Sequence, residues 1–141
     1  MVVHPTTARL GQAIPGGQGL LRWALKTDAI ATGANGVAYL ALAGPLADLL
    51  GLPASFLRAV GVFLAVYAAA VWIVAARDTI NPTAVLVFVS GNLSWVVASV
   101  GLLVLDLHEP TTAGSVWIAL QAAFTGLFAA LQLMGRRRAA T

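Results

Sequence analysis

Charged residues are scarce in this sequence, and cysteine is absent. Asp, Glu, Lys and Arg make up only 9% of the 141 residues, and 60% are hydrophobic. A water-soluble domain carries about 25% charged residues, so we expect a lipid bilayer to be part of this chain's surroundings. The absence of cysteine excludes disulfides, thiolate metal sites and thiol nucleophiles. The net charge is only +3, with basic residues at the ends of apolar segments, which argues against nucleic acid as a partner.

Four apolar segments are long enough to cross a hydrocarbon core, which takes about 20 helical residues. They cover residues 28–47, 57–76, 83–105 and 113–134. The segments between them are short, and short connections place consecutive helices side by side in antiparallel order. The sequence therefore predicts an all-α integral membrane protein with a four-transmembrane-helix, up-down-up-down bundle.

The two ends differ in composition from this transmembrane domain, residues 27–135. Residues 1–19 are polar and rich in Gly, Pro and Thr, which predicts a flexible cytoplasmic tail. Residues 20–26 mix apolar residues with Arg22 and Lys26, which predicts an interfacial amphipathic turn. Residues 136–141 form a basic cytoplasmic tail.

Basic residues determine the expected orientation. With four crossings, seven of the eight fall on one side of the membrane: Arg9, Arg22, Lys26, Arg77, Arg136, Arg137 and Arg138. The positive-inside rule then places both termini in the cytoplasm. Arginine greatly outnumbers lysine and alanine is abundant, a bias typical of GC-rich bacterial genes, so we expect the bacterial plasma (inner) membrane.

Polar and aromatic side chains inside the spans are the candidate functional residues. Helical spacing places several of them on one face of their own span: Asn35 and Tyr39 in span 1, Asn92 and Trp95 in span 3, and Gln121 in span 4. A carboxamide that faced lipid would leave its hydrogen-bond donors and acceptor unpaired. We therefore expect these side chains to face the interior of the bundle or a partner protein. Two roles are open: hydrogen bonds between helices, or contact with a ligand.

Small residues on spans 1 and 2 are candidates for close helix packing. They are Gly33, Gly36, Gly61 and Ala65. Such residues let two backbones approach each other in a membrane. Gly61 and Ala65 share a face with Arg58, so we expect this strip to face outward and to bind a partner helix. Gly44 and Pro45 are expected to end or kink span 1.

Arg58 is the one basic residue expected on the outer side. It either extends its charged end to the interface or forms an ion pair with an outer acidic residue. The candidate partners are Asp48, Asp106 and Glu109.

Ionisable residues are absent from the middle of the predicted spans. Asp28 falls at the inner end of span 1, where Arg77 and the C-terminal arginines are candidate partners for an ion pair. Coupled carriers need a charged group near the midplane, so this pattern argues against proton or sodium coupling. Asp106, His108 and Glu109 lie in one loop without a second histidine, which indicates a solvated loop. We predict no catalytic residues, no metal site and no cofactor.

Two functions are favoured at the level of sequence, and an intramembrane enzyme is the third hypothesis. The favoured hypothesis is a protein that acts through helix association, as a homo-oligomer or as an accessory subunit of another membrane protein. The alternative is a carrier or binder of a lipid-like or small neutral molecule, through the polar residues of the spans. The expected partners are the lipid bilayer, a second membrane protein or copy of this chain, and a bound lipid.

Overall fold

The computed structural model describes residues 16–140, which are all-helical with no strand in that range. Its five helices are α1 (Gly16–Ala41), α2 (Ala43–Leu50), α3 (Ala54–Ala76), α4 (Pro82–Val104) and α5 (Thr112–Ala140). Most of the predicted N-terminal tail, residues 1–15, lies outside the described residues.

Three helices, α3, α4 and α5, are long and apolar enough to cross a membrane. A fourth crossing is present if the bent pair α1 and α2 counts as one span. Large apolar side chains point outward along these helices, with Val97 72% and Val104 75% exposed. Such surfaces are compatible with lipid and not with water. The prediction of a helical membrane protein is therefore confirmed.

The first span differs from the prediction. α1 begins at Gly16 rather than at residue 28, and it includes residues 20–26, which were expected to form a separate turn. After Ala41 the chain bends by 98° into α2. Pro45 lies in the first turn of α2, where a missing N–H costs nothing, whereas in a continued α1 its ring would clash with the carbonyl of Ala41. Asp28 is consequently halfway along α1 and not at its end.

The helices are not packed in their order along the chain. α1 packs along both α3 and α5, and α4 packs along α5. The backbones of α3 and α4 hardly approach each other, although only five residues join them. Consecutive helices were expected to be the closest neighbours, and for this pair that expectation is wrong. The gap between α3 and α4 is filled by aromatic side chains.

The small residues of spans 1 and 2 lie between α1 and α3 of the same chain. A Cβ atom added at Gly61 would stand 2.9 Å from the carbonyl oxygen of Gly36, and one added at Gly36 would stand 3.0 Å from the backbone nitrogen of Ala65. Gly33 lies farther along the same contact, opposite Ala68. The expectation that Gly61 and Ala65 face outward toward a partner is wrong, because α1 already covers them.

Hydrogen bonds from Thr111 join the segment before α5 to the end of α2. Thr111 donates from its N–H to the carbonyl of Leu50 at 3.0 Å and from its hydroxyl to the carbonyl of Leu49 at 2.7 Å. The expected ion pairs are not formed: within residues 16–140, Arg58 pairs with none of the three acidic residues Asp48, Asp106 and Glu109. All four side chains are exposed, so water solvates their charges.

Candidate functional site

A buried polar cluster lies halfway along the helices. It joins Asp28 of α1, Asn92 of α4 and Gln132 of α5, which are 3%, 5% and 0% exposed. Oδ2 of Asp28 accepts from Nε2 of Gln132 at 2.7 Å and from Nδ2 of Asn92 at 3.1 Å. Asn92 also donates to Oε1 of Gln132 at 3.2 Å. Three helices are thus linked through one carboxylate.

Two further hydroxyl groups complete this cluster. Thr32, one turn after Asp28, donates to its Oδ1 atom at 2.9 Å. The hydroxyl of Tyr67 in α3 lies 3.0 Å from Oδ1 of Asn92 and 2.8 Å from the carbonyl oxygen of Phe88. Every buried side-chain nitrogen and oxygen in the described part of the chain has a hydrogen-bond partner. The cluster is therefore fully satisfied and connects all four long helices.

The nearest basic residues have other partners. The Lys26 ammonium lies 5.1 Å from the ring centroid of Trp72. Arg22 donates to the carbonyl of Ala75 in the last turn of α3 and to the carbonyls of Arg77 and Asp78 in the following loop. No ion pair joins Asp28 to a basic side chain within residues 16–140. The candidate ion pair between Asp28 and an arginine is therefore not formed in this range.

A cavity of about 500 Å³ lies beside the polar cluster and is partly open to the outside of the bundle. Side chains from all four long helices line it, including Thr32, Tyr67 and Asn92 of the cluster. Five of the lining residues are aromatic: Phe63, Tyr67, Trp95, Trp117 and Phe124. The rings of Phe63 and Trp95 stack with centroids 6.4 Å apart and planes within 4° of parallel, which bridges α3 and α4.

A second polar group lies in the cavity wall, farther along α1 than the Asp28 cluster. The hydroxyl of Tyr39 accepts from Nε1 of Trp117 at 2.8 Å and from Nε2 of Gln121 at 2.9 Å. Trp117 and Gln121 both line the cavity, whereas Tyr39 is buried behind them at 5% exposure. These bonds hold α1 against α5 and orient the two lining side chains.

Asn35 differs from the other polar residues of the cavity. It is half-buried and lines the cavity between the two polar groups. Its carboxamide has no hydrogen-bond partner in the part of the chain that the structure describes. A carboxamide offers two donors and an acceptor, so this side chain can bind a polar group of a molecule inside the cavity.

The structure brings together four of the five polar residues singled out from the sequence. Asn35, Asn92, Trp95 and Gln121 line one cavity, and Tyr39 supports its wall. Sequence reasoning missed the roles of Asp28, Thr32, Tyr67 and Gln132. The spacing of Asp28, Thr32, Asn35 and Tyr39 along one helix face contained the signal, but the predicted start of span 1 placed Asp28 at a helix end.

The loop with His108 lies between α4 and α5. His108 stacks on Phe56 with ring centroids 5.2 Å apart. Across the described residues, no three His, Asp or Glu side chains come close enough to hold a metal ion. Comparison with known proteins found no matching family model, curated protein or solved structure.

Proposed function

We propose that this chain is an integral membrane protein that binds a small, mainly apolar molecule within its helix bundle. The observation that carries this proposal is the unpartnered carboxamide of Asn35 in an aromatic cavity of about 500 Å³. Ligand pockets are typically about 300–1,000 Å³, mainly apolar, with a few polar groups that orient the ligand. The cavity matches this description in size and in lining.

Helix association, the hypothesis favoured from the sequence, has lost its candidate interface. The strip of small residues expected to face a partner lies against α1 within the chain. The outward apolar side chains that remain are those that any membrane helix presents to lipid.

We also propose four crossings of a bacterial plasma membrane, with both termini in the cytoplasm. The pair α1 and α2 then counts as one crossing. The seven-to-one division of basic residues supports this orientation. It would place the cavity within the bilayer and the Asp28 cluster on its cytoplasmic side, because Gln132 lies one helical turn before Arg136.

Thermal unfolding in detergent, followed by circular dichroism, tests ligand binding. The probe is 1-naphthol, which combines two apolar rings with one hydroxyl group. A ligand that binds only the folded state raises the melting temperature. We expect 1-naphthol to do so for the unmodified chain, and to have little effect on Asn35→Leu, which removes the free carboxamide.

Ser94→Leu is the matched control, because Ser94 is exposed on α4 and does not line the cavity. It should respond to 1-naphthol as the unmodified chain does. Equal shifts in all three proteins would show that naphthol acts through the detergent or another surface, and would contradict the proposal.

A further inference from the structure

A negative charge lies directly behind the cavity wall. Thr32 and Asn92 line the cavity and also donate to the carboxylate of Asp28, at 2.9 and 3.1 Å. Gln132 donates to it from the other side. Nδ2 of Asn92 and Nε2 of Gln132 can only donate, so Oδ2 of Asp28 accepts both of these hydrogen bonds, as a carboxylate oxygen does. A molecule in contact with Asn92 is therefore one side chain away from this charge.

Within residues 16–140, no basic side chain forms an ion pair with this carboxylate. Lys26 lies over Trp72, Arg22 binds carbonyls of α3 and the following loop, and neither pairs with Asp28. Burying a carboxylate without a cation is costly even when its hydrogen bonds are satisfied. Ionisable residues inside membrane helices are accordingly rare and mark sites of function. The missing positive charge can come from the molecule that occupies the cavity.

The aromatic wall of the cavity favours the same kind of occupant. Ring faces attract cations, most strongly where water is excluded. Phe63, Tyr67 and Trp95 follow one another along the seam between α3 and α4, with the Phe63 and Tyr67 centroids 5.8 Å apart. An apolar cation could therefore bury its hydrocarbon surface against these rings.

We propose that the occupant of the cavity is a small organic cation, attracted by Asp28 and held against the aromatic rings. This inference rests on the proposed function and replaces the neutral ligand expected from the sequence. A bare metal ion fits poorly. The oxygens of Asp28 already accept three hydrogen bonds, and the described residues hold no group of metal-binding side chains beside it.

Binding of two probes of the same shape tests the charge of the ligand. Phenyltrimethylammonium and tert-butylbenzene differ only by the positive charge, because nitrogen replaces one carbon atom. We expect isothermal titration calorimetry in one detergent to give at least tenfold tighter binding of the cation. Benzenesulfonate, an anion of similar size, should bind more weakly than tert-butylbenzene. These comparisons need only the unmodified chain.

Two variants connect the preference to Asp28. Asp28→Asn removes the charge and keeps an oxygen that can accept from Gln132 or Thr32, so it should lower the preference for the cation at least fivefold. Asp106→Asn removes the same charge from an exposed position in the outer loop and should leave the preference unchanged. A circular dichroism melt checks that each variant is folded. If Asp28→Asn does not fold, the three probes on the unmodified chain decide.

The outcomes separate the two proposals. Equal affinity for phenyltrimethylammonium and tert-butylbenzene would overturn the cation inference and leave ligand binding in place. Binding of neither probe, together with no effect of 1-naphthol, would contradict the proposed function itself. A preference for the cation that persists unchanged in folded Asp28→Asn would show that the aromatic rings select it without the carboxylate, and would also overturn this inference.

Discussion

Asn35 and Asn92 look equivalent in the sequence, yet they differ in their contacts. Asn92 donates to Asp28 and Gln132 and lies within hydrogen-bond distance of Tyr67, whereas Asn35 has no partner within residues 16–140. Removing one partner from a buried polar network leaves the others unsatisfied, which costs more than the bond itself contributes. Asn92 is therefore structural, and the carboxamide of Asn35 is free to bind.

We predict that Asn92→Leu lowers the free energy of unfolding by about 1–3 kcal/mol, because Asp28 and Gln132 each lose a hydrogen bond. Asn35→Leu should change it by less than about 0.5 kcal/mol. Unfolding in mixed micelles with increasing denaturing detergent measures both. The hydrogen bonds also predict that Asn92→Leu and Gln132→Leu are not additive, since both act on Asp28. Additive effects of these two changes would show that the cluster does not act as one unit.

At the scale of helices, α1 organises the bundle. It packs against α3 through glycine and alanine, and against α5 through the Asp28 cluster and the hydroxyl of Tyr39. Close approach of two backbones in a membrane strengthens van der Waals contact, which replaces the hydrophobic effect as the driving force. The contact between Gly36 and Gly61 is therefore the most sensitive point between α1 and α3.

We predict that Gly61→Ala destabilises the protein by about 1–3 kcal/mol, since the new Cβ atom would stand 2.9 Å from a backbone oxygen that no side-chain rotation can move. Gly33→Ala is the matched control. Its Cβ atom would meet Ala68 at 3.4 Å, an ordinary contact, so this variant should be neutral or slightly more stable. The same detergent titration compares the two. A loss of stability in Gly33→Ala as large as in Gly61→Ala would rule out the steric explanation.

At the scale of the whole molecule, the helices surround a cavity because α3 and α4 stay apart. Their backbones are separated by the stacked rings of Phe63 and Trp95 and by the edge contact of Tyr67 with Phe88. Large flat side chains keep two helices farther apart than alanine or glycine would. The same rings that separate these helices also form the cavity wall.

Reporter fusions test the proposed orientation of the whole chain. Fusions at Gly51 and His108 should report an external position, and fusions at Asn81 and Thr141 a cytoplasmic one, because the basic residues lie beside the latter. A cytoplasmic signal at Gly51 would show that the pair α1 and α2 returns to the side from which it entered. Replacing Arg136, Arg137 and Arg138 together should weaken insertion of α5 without inverting the protein, since the other basic residues remain.

The sequence by itself determined the class of protein and the approximate extent of three helices. Long apolar segments must satisfy their backbone hydrogen bonds internally, so composition and length suffice for α3, α4 and α5. It also identified Asn35, Asn92, Trp95 and Gln121 through helical spacing, which is a local property. The bend before Pro45 followed from the chemistry of proline.

Only the tertiary structure decided which helices touch and where the buried charge lies. Hydropathy placed the start of the first span at Asp28, because Arg22 and Lys26 precede it. In the folded chain these two residues bind the end of α3 and the ring of Trp72, so the helix extends past them and Asp28 becomes central. Likewise, whether Gly61 meets a partner or α1 depends on the order of the helices around the bundle. Contacts between residues far apart in the sequence determine that order, and no local sequence pattern indicates those contacts.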